Sequence, residues 1–242
     1  MYALKRIKFV LTRGLWVREA MAHLRHKIES PQAKRLPQVT AADIVGSDAP
    51  PHQLLEADAV DGNVSVQELE VIASITAHLQ PARVFEIGTF DGRTTVNLAA
   101  NAAAAEVFTL DLPQRDLYET QLRLKTGDRK FVDKRESGAR FRSSPYASRI
   151  TQLYGDSAAF DSGPLENSMD LVFVDGSHSY EYVKNDTELA LRLLRNGKGI
   201  VLWHDYGWTE VVRALNEYYE HNPVFAGLVH IQGTSLACLH IE

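Results

Sequence analysis

The sequence predicts an α/β domain, a doubly wound seven-stranded sheet that closes in an antiparallel hairpin, preceded by an N-terminal helical extension. Two observations carry this. From residue 81 onward short apolar runs alternate with amphipathic stretches, and the last two runs are separated by a turn at Gly233-Thr234. The composition allows it: 242 residues, 45% hydrophobic and 24% charged, are enough for one large domain with a real core.

Residues 1–60 read as a basic amphipathic extension and linker. Ile7, Val10, Val17, Met21, Leu24 and Ile28 recur at helical spacing among nine Lys/Arg in residues 1–35. Such a helix packs on its own domain or on a second copy of the chain, so a homo-oligomer is expected; weak membrane-surface contact is the alternative. Residues 30–60, with Pro31, Pro37, Pro50 and Pro51, read as an extended connector. The main domain is expected over 61–242. It begins with a helix carrying Val66, Leu69, Ile72, Ile75 and Leu79 on one face, opened by a Ser65/Glu68 capping box.

Five buried parallel strands follow at Val84–Ile87, Val107–Leu110, Ile150–Tyr154, Leu171–Val174 and Ile200–Trp203. Helices are expected at Thr94–Ala104, Tyr180–Leu194 and Thr209–Tyr219. Leu228–Ile231 and Leu236–Ile241 form the closing hairpin. Residues 115–149 hold ten Lys/Arg against five acids and read as a mobile basic insertion, where Arg140, Arg142 and Arg149 form either an anion-binding cluster or a solvated face.

The formal charge of −5 argues against nucleic acid as a partner, and no apolar run reaches the ~18–20 residues of a membrane span. The start of the chain lacks a signal peptide's pattern. Cys238 is the single cysteine, so neither an internal disulfide nor a cysteine zinc site is available, and a cytoplasmic location is expected.

In a doubly wound sheet the ligand lies at the carboxyl ends of the strands. Here those ends read Glu86-Ile87-Gly88, Asp111, Gly155-Asp156-Ser157, Asp175-Gly176-Ser177-His178 and His204-Asp205. After the first strand, Glu86, Gly88, Thr89, Gly92 and Thr94 make a glycine turn into a helix, where free backbone N–H groups suit a carboxylate. The spacing differs from a dinucleotide-binding G-x-G-x-x-G. Asp111, 19 residues beyond Gly92, is placed to accept from both hydroxyls of a ribose, with a turn or cap aspartate as the plain structural alternative. Asp156 and Ser157 are placed for an adenine amino group, with common Gly-Asp-Ser turn chemistry as the plain alternative.

With these residues in this order, the chain from about Gly62 to its end resembles the class I S-adenosylmethionine-dependent methyltransferases, whose sheet is Rossmann-like. The segments Phe173-Val174-Asp175-Gly176-Ser177-His178-Ser179-Tyr180 and Val201-Leu202-Trp203-His204-Asp205-Tyr206 resemble the branch containing macrolide-sugar O-methyltransferases and cephalosporin-hydroxylase-type proteins. The resemblance implies S-adenosylmethionine as cofactor, held by Glu86, the glycine turn, Asp111 and Asp156, with Val64 as a further contact. It implies a divalent metal, Mg or Mn, at Asp175 and Asp205. His204 departs from the pattern, standing where the macrolide relatives carry another acid, and an imidazole there shifts preference toward softer metals. By the same resemblance His178 is the general base and Asp175 shares the catalytic role, on the hydroxyl of a small-molecule acceptor; a loop histidine that caps the next helix is the structural alternative for His178. Two alternatives stay open: a metal-dependent hydroxylase-type enzyme on the same fold, and a non-catalytic cofactor-binding subunit.

Overall fold

The computed structural model describes residues 33–46 and 49–242. The amphipathic pattern of residues 1–32, and with it the expected oligomer and membrane contacts, lies outside the described residues. Lys34–Glu242 form one compact unit.

The strands alternate their faces as buried strands must. β1 (Gln38–Val39), β2 (Arg83–Ile87), β3 (Glu106–Asp111), β4 (Ile150–Tyr154), β5 (Leu171–Val174), β6 (Gly199–Trp203), β7 (Val229–Ile231) and β8 (Ala237–Ile241) form one sheet, ordered β1-β7-β8-β6-β5-β2-β3-β4. The five central strands are parallel; β8 runs antiparallel to both β6 and β7. On one face Phe85, Ile87, Val172, Val174, Val201 and Trp203 pack against α6 (Tyr180–Leu193) and α7 (Thr209–His221). On the other, Val84, Val107, Leu171, Phe173, Ile200 and Leu202 pack against α2 (Val66–Leu79) and α3 (Arg93–Asn101). The chain runs from β2 through β3 to β4 on one side and then crosses back from β4 to β5 on the other side of β2, which opens a crevice at the carboxyl end of β2.

The sheet has eight strands where seven were expected. The extra one is a two-residue edge strand inside the proline-rich stretch read as a connector. Gln38 and Val39 pair in parallel with His230 and Ile231, and Thr40 then caps α1 (Ala41–Val45) through a reciprocal capping box with Asp43. Pro37 suits an edge, where its missing N–H goes unused and its carbonyl accepts from His230 N–H.

The following stretch is bound to α3 by polar side chains on that helix. Asn97 and Asn101 exchange hydrogen bonds with the backbone of Leu55 and Gln53. Arg93 is fully buried and donates to the carbonyls of Glu56, Ala57 and Val64 at 2.6, 3.0 and 2.7 Å. One guanidinium thus satisfies three carbonyls of a segment that has no partner strand there.

The basic insertion is packed down through short helical turns. α4 (Arg129–Val132) and α5 (Ala139–Arg142) lie within it, and Leu117, Leu124 and Val132 bury against Tyr182 of α6. Arg140, Arg142 and Arg149 go to separate partners. Arg140 pairs with Asp91 and Glu56, Arg142 with Glu136, and Arg149 donates to the carbonyls of Ala99, Ala102 and Ala105 at the end of α3. None of the described helices is long and apolar enough to cross a membrane.

Because each charged hydrogen bond of this kind contributes about 1.5–3 kcal/mol, Arg93→Ala is expected to cost about 3 kcal/mol or more and to lower Tm by roughly 6–12 °C in a melting experiment.

Candidate functional site

Every strand end that the sequence marks as polar converges on one cavity of about 280 Å³, which the carboxyl ends of β2, β3, β4, β5 and β6 line and the insertion covers. Gly88, Asp111, Asp156, Ser157, Asp175, His178, His204 and Asp205 all line it. Val64, Glu86, Thr89, Gly92 and Thr94 do not; they are buried in the wall behind it. The cavity also takes in residues that sequence reasoning missed: Phe90, Phe131, Asp128, Lys134, Asp186 and Trp208.

The glycines of the turn serve the protein's own packing. Gly88 has φ +97°, and a Cβ there would collide with the carbonyl oxygen of Asp175. Gly92, at φ +87°, opens α3, and a Cβ there would press on Phe141 and on Gly138 of the insertion. The backbone at the end of β2 therefore lies directly against the loop that carries Asp175.

Glu86 points to the face below α3. Thr95 and Thr109 each donate to its Oε2 at 2.5 Å, and Oε1 is buried without a partner. Burial pushes its carboxyl up to about 8, although the two hydroxyls work against the shift.

The ligand-facing acids are held by the insertion and by α6. Asp111 Oδ2 receives Lys134 Nζ at 2.7 Å together with the Ser137 hydroxyl. Asp156 accepts from Tyr182 OH at 2.8 Å and from Gln121 N–H at 2.6 Å. Asp186 is buried beneath Gly176, and desolvation pushes its carboxyl up to about 6.

The most connected part of the site is an alternation of acids and imidazoles. His178 lies between two carboxylates, with Nδ1 2.7 Å from Asp128 Oδ1 and Nε2 2.5 Å from Asp205 Oδ2. Asp128 Oδ2 also accepts from the His178 N–H at 2.8 Å and from Ser177 Oγ at 2.7 Å. His204 continues the chain, its Nδ1 2.9 Å from Asp175 Oδ1 and 3.1 Å from Asp205 Oδ2, its Nε2 3.3 Å from Glu68 Oε2. Trp208 packs against His178 at a 33° tilt with centroids 4.8 Å apart and donates its indole N–H to Asp205 Oδ1 at 3.0 Å. Asp205 itself sits in the left-handed region at φ +60°, which aims its side chain back into this cluster.

Electrostatics follow from the contacts. Burial works to lower the His178 pKa, but Asp128 and Asp205 override it and push the imidazole up to about 10. His204 is raised well above the ordinary range against the same desolvation, by Asp175, Asp205 and Glu68. Burial would raise Asp205 and Asp128, and the imidazoles they bind hold both below the usual carboxylate range. Without a ligand, His178 is therefore a proton holder at neutral pH, not the neutral imidazole expected of a base. The expected metal residues do converge: Asp175, His204 and Asp205 offer ligand atoms within 4.8 Å of one another.

The family model described as a methyltransferase domain matches residues 85–206. This chain belongs to the methyltransferase-domain family. Solved structures share its fold. A methyltransferase from Podospora anserina, bound to S-adenosylhomocysteine, is 16% identical, with a TM-score of 0.55 over 75% of this chain and 81% of its own. The O-methyltransferase TomG of Streptomyces achromogenes, involved in tomaymycin synthesis and solved with S-adenosylmethionine, is 18% identical, with a TM-score of 0.52 over 83% and 96%. An O-methyltransferase from Bacillus cereus, in complex with S-adenosylhomocysteine, is 13% identical, with a TM-score of 0.50 over 92% and 97%. None of the curated proteins matches in sequence. The class I methyltransferase fold expected from the strand-end residues is thus the fold observed, and the methyltransferase cavity lies at its topological switch point.

Two titrations check the electrostatics. Asp128→Asn removes one of the two acids that hold the His178 proton, so an NMR titration of the His178 ring is expected to show its pKa falling from about 10 by a unit or more. Glu86 keeps in the folded protein a proton that the unfolded chain gives up near its ordinary 4.5, so its ionisation opposes folding increasingly from there to about pH 8. The stability of Glu86→Gln relative to the parent is accordingly expected to improve from pH 5 to pH 8 in parallel denaturant titrations.

Proposed function

We propose that the protein is an S-adenosylmethionine-dependent O-methyltransferase that methylates a hydroxyl of a small molecule with the help of a divalent cation. One observation carries this reading: acids on two neighbouring strand ends, Asp111 and Asp156, share a cavity with the Asp175, His204 and Asp205 cluster. The first pair suits a nucleoside, the second set a hard or borderline cation, and their common cavity brings both to one acceptor. The cofactors named for the solved relatives agree with the first half of the reading.

The donor set fits a cation. Asp175 and Asp205 supply carboxylate oxygens and His204 an imidazole nitrogen, a mixture that suits manganese at least as well as magnesium. Counted formally, Glu68, Asp128, Asp175 and Asp205 outnumber the two imidazoliums and leave two negative charges; His204 gives up its Nδ1 proton when that nitrogen's lone pair goes to a divalent ion, so the cluster's net charge falls from two negative to one. When bound, S-adenosylmethionine supplies a sulfonium-activated methyl group and the cation supplies Lewis acidity toward the acceptor oxygen.

The chain's own residues do the rest. Asp111 accepts from the ribose hydroxyls, for which Lys134 and Ser137 give up or share Oδ2. Asp156 and Ser157 lie at the adenine end. Asp175 sits where the glycine turn meets the cation cluster, so it faces both the cofactor and the acceptor. His178 handles the acceptor's proton. Because Asp128 and Asp205 hold the imidazole charged, it would first release its Nε2 proton to solvent as Asp205 is engaged elsewhere and then take the acceptor's proton on Nε2, and an acceptor seated beside it is positioned in line by the same walls that exclude water.

The test is calorimetric titration of S-adenosylhomocysteine into the full chain, with manganese and with chelator, followed by turnover assays on hydroxyl-bearing acceptors. Saturable binding is expected, weakened about tenfold or more in Asp111→Ala by loss of charge-assisted hydrogen bonds. Turnover is expected to fall to background with chelator and in Asp175→Ala. Binding without turnover across the acceptors would favour a cofactor-binding subunit, and turnover indifferent to chelator would remove the cation from the reaction.

A further inference from the structure

We infer that Glu68 is a positioning residue for the cation site, fixing the tautomer and orientation of His204; the inference rests on the metal reading above. Glu68 lies in the first turn of α2, 136 residues from His204 in the chain, and is only 7% exposed. Its sequence context assigns it to the capping box alone, yet capping uses only part of its hydrogen-bonding capacity.

Four donors converge on this carboxylate. Oε2 accepts from Ser65 N–H at 2.8 Å, and Oε1 accepts from Ser235 N–H and Ser235 Oγ, both at 2.7 Å. The fourth contact is His204 Nε2 on Oε2 at 3.3 Å. Each oxygen already receives a backbone N–H, which can only donate, so each oxygen must act as an acceptor. Three donors already aimed at its two oxygens favour the ionised carboxylate, whose remaining lone pair on Oε2 faces His204 as an acceptor. Nε2 therefore keeps its proton in every state, and Nδ1, turned to Asp175 and Asp205, is the nitrogen that would give up its proton to a cation.

That is the arrangement a metal-bound imidazole needs, with a carboxylate accepting from the far ring nitrogen while the near one keeps its lone pair for the ion. The contact also ties three remote pieces of chain to one ring. Glu68 joins the start of α2, the β7–β8 turn through Ser235, and the end of β6 through His204. Gln in this position would place an amide NH₂ against a backbone N–H whichever way it turned, so it disturbs both the anchoring and the ring.

The experiment is a manganese titration of the full-length parent, Glu68→Gln and Ser235→Ala by calorimetry. Glu68→Gln is expected to bind manganese about 10–100-fold more weakly. Ser235→Ala, which removes one Glu68 anchor and leaves the His204 contact, is expected to stay near the parent. Equal affinity in Glu68→Gln and the parent would overturn the inference. An equal loss in Ser235→Ala would also overturn it, by showing that the effect is general loosening of α2. A parent that does not bind manganese would overturn the metal reading and this inference together, and that result is read from the parent alone.

Should Glu68→Gln not fold, Glu68→Asp keeps the charge, withdraws it by one methylene and is expected to show the same loss. The ¹⁵N spectrum of the zinc-loaded parent supplies a readout that a purely structural role would not move. His204 is expected to show a protonated Nε2 and a metal-bound Nδ1, and the reverse pattern would refute the assignment.

Discussion

The site depends on the pairing of buried acids with buried imidazoles. Isolated charges in a protein interior are expensive, and each charge here is tolerated because its neighbour has the opposite sign and a hydrogen bond joins them. From Asp128 through His178, Asp205 and His204 to Asp175 and Glu68, the alternation crosses the insertion, two strand-end loops and a helix start. Removing one member leaves a neighbour uncompensated. The same ladder that makes the cavity reactive therefore also fixes the relative positions of the elements around it.

The sheet beneath converts sequence pattern into this geometry. Parallel strands buried on both faces are continuous apolar runs, and the first polar residue after each run marks the place where the strand leaves the core. Five such exits in adjacent strands define the cavity floor. The contact between Gly88 and the Asp175 carbonyl joins the turn after β2 to the loop after β5, so the Asp111 side and the Asp175, His204 and Asp205 side of the cavity share one rigid seam.

Most of this was legible in the residues. Strand and helix positions followed from periodicity, because a buried run of four or five apolar residues and a one-sided helix are local signals. The edge strand Gln38–Val39 was not, since two residues beside a proline have no pattern and pair only with a strand near the other end of the chain. The Asp175, His204 and Asp205 grouping was visible as strand-end chemistry, whereas Asp128 was hidden among the charges of the insertion, and only the fold brings it to a ring 50 residues away. Glu68 was recognised for one of its contacts and missed for the rest. The glycines were noticed for a ligand's sake and turn out to be required by protein backbone and side chains. The protonation state of His178 was beyond reach, because an imidazole's affinity for protons is set by neighbours that sequence distance conceals.

The insertion between β3 and β4 meets the cavity through Asp128 on His178, Lys134 on Asp111 and Lys130 on Asp61. It is thus a roof held both by these electrostatic bolts and by the apolar packing of Leu117, Leu124 and Val132 on Tyr182, above a floor made by the strand ends. For anyone re-engineering what the cavity admits, the roof is the part to exchange. A transplanted segment must bring its own counterparts of Asp128 and Lys134, since the floor beneath it was shaped around their charges.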